Sequence, residues 1–220
     1  MLTFAEEILL LALDDRTGKF VHMGTQGLGY PLAGAVLMDL AVRWKIDADL
    51  EKLVVVDPSP TGEQLLDEQL TQIASTEEVL SARQWIGRLV PESERIERAA
   101  LDRLVGRGIL RQEEKRLLWV FPERRYPTVD DTEEKEVKRR LVDILLSDEI
   151  PEPRDVALIS LVDACDLLGV VLSAREIENV GERVEQIRKL DLIGQAMTDA
   201  VRHLRLEIAK AVGTPPGALY

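Results

Sequence analysis

The chain has 220 residues, 45% hydrophobic and 31% charged, a balance that supports a sizeable core and excludes wholesale disorder. A net charge of −12 repels nucleic acid and anionic membranes at long range, so binding either one requires a locally basic face. The single cysteine, Cys165, excludes a disulfide framework and a cysteine metal site, and it fits a reducing compartment.

Aromatic residues make up 4%, and the apolar ones are mainly Leu, Val, Ile and Ala, which favours helices over a large sheet. The opening LTFAEEILLLALDD predicts a buried helix, started by Thr3 with Glu6 at capping-box spacing. This apolar run contains Glu6 and Glu7 and has no basic leader or small-residue cleavage site, so a cytoplasmic chain is expected. Gly18 turns the chain into a short extended piece. The glycine-rich GTQGLGYP, 24–31, then feeds a helix over LAGAVLMDLAVRW.

KIDADLEKLVVVD predicts a small hairpin, and DPSPTGE a turn that starts a helix at about Thr61. Ser75 with Glu78 is expected to cap the next helix, which carries Trp85. Ile96, Ala100 and Leu104 recur at helical spacing until Gly106 and Gly108 end that element. A hairpin is expected at 109–121, followed by a polar helix with basic residues at 138–140.

VALISLVDACDLLGVVL, 156–172, reads as one core helix, because Asp163 and Asp166 interrupt an apolar run too short to span a bilayer. Ser173 with Glu176 caps another helix. The last one places Ile193, Met197, Ala200, Leu204, Ile208 and Ala211 on one stripe. With no repeat and no clear linker, the expectation is a single, mainly α-helical domain over 1–220 with short β-hairpins.

Searching for chemistry yields little. Gly24, Gly27 and Gly29 precede a helix but match no phosphate-binding loop, and neither His22 nor His203 sits in a ligand motif. Asp163 and Asp166 form a lone i,i+3 pair without a third partner. The expectation is therefore no catalytic residue, no metal and no cofactor.

Charge distribution says more. Leu117 to Phe121 is a run of five apolar residues between basic clusters; read as a strand, it puts Leu117, Trp119 and Phe121 on one face. From Arg107 to Arg125, six basic residues against Glu113, Glu114 and Glu123 give +3, which leaves −15 for the rest. A basic, apolar hairpin on an acidic body suggests a contact surface. An apolar wedge with flanking arginines suits a bilayer interface, Trp119 lying at headgroup level. A winged-helix DNA binder is disfavoured, since the preceding helix carries Glu94, Glu97 and Asp102 beside its arginines.

Five segments in order resemble the Golgi phosphoprotein 3 family of peripheral membrane proteins. They are LTFAEEILLLALDDRTG, PLAGAVLMDLAVRWKI, PTGEQLLDEQL, ALDRLVGRGIL with RLLWVF, and DVALISLVDACDLLGVVL. The resemblance implies a mostly helical fold and recognition of phosphatidylinositol 4-phosphate on the cytosolic leaflet. It also implies a hairpin that enters the membrane or touches a neighbouring subunit. The family's headgroup positions fall on Gly24, Ala33, Glu94 and Glu97, two small residues and two carboxylates, so the headgroup specificity is expected to be lost in this divergent, bacterial-type member.

Arg111, Arg116, Arg124 and Arg125 are the candidates for lipid phosphates, and Leu118, Trp119 and Phe121 for the membrane or subunit contact. The expected function is non-enzymatic, peripheral binding of anionic phospholipid. The alternative is a helical module that self-associates through the hairpin without lipid.

Overall fold

The computed structural model describes residues 1–14, 17–20, 27–49, 51–117, 121–190 and 195–212, with main chain alone at 114–117, 121–124 and 205–212. The fold is mainly α-helical. Helix α1, Phe4–Ala12, opens on the expected capping box, in which Thr3 and Glu6 satisfy each other's backbone N–H. Such a cap is worth about 1 kcal/mol.

Helix α2, Gly29–Val42, is buried from Pro31 to Ala41. A helix apolar on all sides can only be central. It packs against α1, α5 (Ser93–Gly106), α7 (Pro153–Ala164) and α10 (Gln195–Val212). Gly34 lets these helices close up, because a Cβ there would sit 2.9 Å from both Leu161 Cδ1 and Val201 Cγ2.

A first hairpin follows α2, with β1, Ile46–Ala48, antiparallel to β2, Leu53–Val55, in the expected place. Helix α3, Gln64–Ser75, starts three residues later than the turn suggested. Asp67 reaches back to accept from Thr61 N–H and Oγ1 and holds that residue in the preceding turn. The next cap is also displaced. Ser75 is the last residue of α3, its hydroxyl donating to the Gln72 carbonyl, and α4 (Ala82–Leu89) is capped by Ser81 with Gln84. Ser75 with Glu78 has cap spacing, but Leu66, Leu70 and Ile73 keep α3 packed on the core through that point.

The apolar 156–172 segment is two helices rather than one. Helix α7 ends at Ala164, and α8 covers Leu168–Val171. Between them Asp166 takes φ +54 while Leu167 N–H donates to the Val162 carbonyl, a closing pattern that stops the helix and turns the chain. Helices α6, Thr132–Leu145, and α9, Ala174–Leu190, flank this unit. Ser173 and Glu176 bond as expected at the start of α9. On the last stripe Met197 and Ala200 are buried, Leu204 is half-buried, and Ile193 lies outside the described residues.

Candidate functional site

The second hairpin has a firm base. Helix α5 ends on Gly108 at φ +75, with Ile109 N–H donating to the Leu104 carbonyl. Ile109, Leu110 and Tyr126 are buried, so both arms of the stem enter the core. Arg111 N–H donates to the Pro127 carbonyl at 3.0 Å, and Tyr126 N–H to the Gly18 carbonyl at 2.8 Å. Gly18 is required there twice over. Its φ is +63, and a Cβ would lie 2.6 Å from the Pro127 nitrogen.

Above this base β3, Glu113–Leu117, pairs antiparallel with β4, Phe121–Arg125. The ribbon is thus shifted toward the C-terminus from the expected 109–121, because residues 109 and 110 belong to the stem. Leu117 and Phe121 are cross-strand partners. They therefore cannot share one strand, and the two-faced strand expected over 117–121 does not form. Leu118 and Trp119 lie outside the described residues.

Register separates the basic candidates. Positions 114, 116, 122 and 124 share one face of the ribbon; 113, 115, 117, 121, 123 and 125 share the other. Arg116 and Arg124 are therefore together, and Arg125 is opposite them. Cross-strand pairs match charges of opposite sign three times, Glu113 with Arg125, Glu114 with Arg124 and Lys115 with Glu123. Arg111, its side chain 64% exposed, lies 2.6 Å from a Glu113 carboxylate oxygen. Arg107 pairs with Glu133 at 3.4 Å. Among the described residues, the strands β3 and β4 pack chiefly on each other, with no helix as a main neighbour.

Of the positions the resemblance points to, Ala33 lies near the first turn of α2, and Glu94 and Glu97 near that of α5. These turns are neighbours, since a Cβ on Gly29 would lie 3.4 Å from Val90 and 3.6 Å from Ser93 Oγ. Ala33 is fully buried and Gly24 lies outside the described residues. Glu94 is exposed and Glu97 half-buried. Burial, and next the Glu94 charge, push the Glu97 carboxyl above its ordinary range. Arg95 is engaged by Glu68 and by Glu92, the latter at 2.7 Å. Carboxylates here face any incoming phosphate with the wrong sign.

The remaining sequence candidates are dispersed. Asp163 is bonded to Arg202 at 2.7 Å, Asp166 closes α7, Cys165 is buried and His203 is exposed on α10. His22 lies outside the described residues, among which no three His, Cys, Asp or Glu side chains are grouped to hold a metal ion. A different set, the buried acids Glu6, Glu7, Asp39 and Asp155, was not marked as a cluster by the sequence, although Glu6 stood out as the Thr3 cap partner. Their signal was carboxylates inside apolar helical runs, the pair Glu6 and Glu7 in EEILLLA and Asp39 in LMDLAV.

The Golgi phosphoprotein 3 (GPP34) family profile matches residues 4–204. Vacuolar protein sorting-associated protein 74 of Eremothecium gossypii is 30% identical over 211 residues, 80% of this chain and 63% of the relative. The protein of the same name in Schizosaccharomyces pombe is 33% identical over 168 residues, 66% of this chain and 49% of the relative. In both cases less than two thirds of the relative's length is covered. The profile match spans the helical core, the hairpin stem and both hairpins together, and on it the chain belongs to the Golgi phosphoprotein 3 family.

Proposed function

We propose that this chain is a non-enzymatic, peripheral membrane protein on the cytoplasmic side, which docks on anionic phospholipid through the β3–β4 hairpin. Arg111, Arg116, Arg124 and Arg125 meet the headgroups, and Leu118, Trp119 and Phe121 enter the interface. The observation that carries this reading is the hairpin itself: a stem fixed in the core, below strands that pack chiefly on each other. Family membership supports it. Among the described residues no helix is long and apolar enough to cross a membrane, so contact through a local element is the form of association that fits.

Phosphoinositide headgroups are the lipid class the family suggests. Preference for one positional isomer is not expected, because Glu94 and Glu97 replace cationic partners at the positions that resemble a headgroup site. Burying a side chain the size of Phe is worth about 1.5–3 kcal/mol. Two such residues shift an association by roughly one to several decades at about 1.4 kcal/mol per decade. Liposome flotation across neutral, phosphatidylserine and monophosphorylated phosphoinositide vesicles tests this, at low and moderate salt. Binding to the anionic vesicles, lost in Trp119→Ser with Phe121→Ser, is expected. No binding to any anionic vesicle would overturn the reading, and a strong preference for the 4-phosphate isomer would overturn the loss of specificity.

Self-association through the hairpin is the second reading, and one observation favours it. From Glu113 to Arg125 four basic residues face three acidic ones, a net of +1, with three opposite-sign pairs in register. Such a ribbon suits another protein surface as well as a phosphate layer. Light scattering separates the two, since a subunit contact makes the double variant a smaller species.

A further inference from the structure

Away from the hairpin, the amino-terminal turn of α1 meets α2, α6 and α7 over a buried set of charges. Glu7 accepts from Arg140 and from Arg154, each at 2.8 Å, and Arg140 Nε lies 2.8 Å from an Asp155 carboxylate oxygen. Asp39 is fully buried in α2. Its Oδ2 accepts from Phe4 N–H at 2.8 Å, while its Oδ1 has no hydrogen-bond partner and is 3.8 Å from Arg154 Nη1. Arg154 is already committed elsewhere. It donates to the Leu2 carbonyl at 2.9 Å and stacks on the Phe4 ring, 4.1 Å from the centroid.

Three carboxylates thus share two guanidiniums, one negative charge too many for a set in which Asp39 is fully buried and Glu7 nearly so. The surrounding charges do not correct the imbalance. Glu6 on α1 is held by Arg103 of α5 at 3.0 Å. Arg43 on α2 favours the ionised Asp39, but only as a lesser influence than burial and Arg154. Glu152 beside Asp155 and Glu136 beside Arg140 add negative charge. On α10, Arg202 is taken by Asp163.

We propose that Glu7, Asp39 and Asp155 form a proton trap, in which the two arginines leave one proton to be shared and the bare Oδ1 of Asp39 is its seat. The pKa directions agree. Burial is the leading influence on all three, raising Glu7 and Asp155 and pushing Asp39 up to about 7. The folded chain then keeps a proton that the unfolded chain has released. A raised acid stabilises the fold fully below its unfolded value of 3.8, and the benefit is lost as pH rises to about 7. The amino-terminal turn of α1, which Asp39 and Arg154 anchor, is the element this proton steadies.

The test compares the full chain with Asp39→Asn, a neutral group of the same shape, by denaturant unfolding from pH 5.5 to 8. The ratio of the parent's unfolding constant to the variant's should climb by about tenfold per pH unit and level off near neutrality, one proton's worth of linkage. The two histidines contribute equally to both proteins and cancel. A ratio independent of pH overturns the proposal. A second measurement stands even if the variant does not fold. The parent's infrared spectrum should carry a protonated-carboxyl band at pH 6 that fades by pH 8 and survives in Glu97→Gln. Absence of that band in the parent, or its loss in Glu97→Gln, overturns the proposal equally.

Discussion

The two hairpins of this protein differ in composition and in where they are anchored, β1–β2 along its strands and β3–β4 at its stem. In β1–β2 the inward positions Ile46 and Leu53 are buried. Leu53 N–H donates to the Leu80 carbonyl, and Val56 N–H to the Lys45 carbonyl. Its turn is closed by Asp49, whose Oδ1 accepts from Glu51 and Lys52 N–H. In β3–β4 the described buried residues, Ile109, Leu110 and Tyr126, lie in the stem, and among the described residues the strands pair chiefly with each other. An isolated two-stranded ribbon is marginal in water, so each hairpin draws its stability from what it is anchored to. The proposed contact role of β3–β4 rests on that contrast more than on any single residue.

Four variants break or sharpen the contrast. Leu53→Ala should cost about 2–5 kcal/mol of stability in chemical denaturation, since it empties a buried site under the first hairpin. A loss under about 1 kcal/mol would put β1–β2 in the same class as β3–β4. Gly18→Ala should cost about 1–3 kcal/mol, because the methyl group meets the Pro127 backbone at a positive φ. It should also weaken liposome binding, as the stem is displaced, and unchanged flotation would separate the stem from the contact.

Asp49→Ala should lower the melting temperature modestly at pH 7 and hardly at all in acid. The N–H groups of Glu51, and then Lys52, hold the Asp49 carboxyl below its ordinary range. A lowered acid stabilises the fold above its unfolded value of 3.8 and ceases to do so as pH falls through the folded one. The gap between parent and variant should therefore shrink as pH falls below 3.8, and a gap that persists in acid would mean the turn is held by something other than ionised Asp49. The smallest effect belongs to Trp119→Ser with Phe121→Ser, expected to change stability by under about 0.5 kcal/mol, as for surface sites. A drop of several kcal/mol would mean that the tip is buried within its own chain.

Sequence alone determined the helical class, and for a local reason: apolar residues at helical spacing, with Thr3–Glu6 and Ser173–Glu176 caps, depend only on neighbours along the chain. It also located β1–β2 and the resemblance that the family profile bears out. Tertiary structure decided what local rules leave balanced. Ser75 and Ser81 both have cap spacing, and packing of Leu66, Leu70 and Ile73 selected Ser81. The 156–172 run has its two aspartates at helical spacing, and only the closing turn at Asp166 divides it. Arg107 and Arg111 count as basic in the sequence, yet Glu133 and Glu113 pair with them in space. The same holds for Glu7, Asp39 and Asp155, which stand far apart along the chain. Only the packing of α1, α2, α6 and α7 brings them to two arginines and excludes the water that would otherwise have solvated each charge alone.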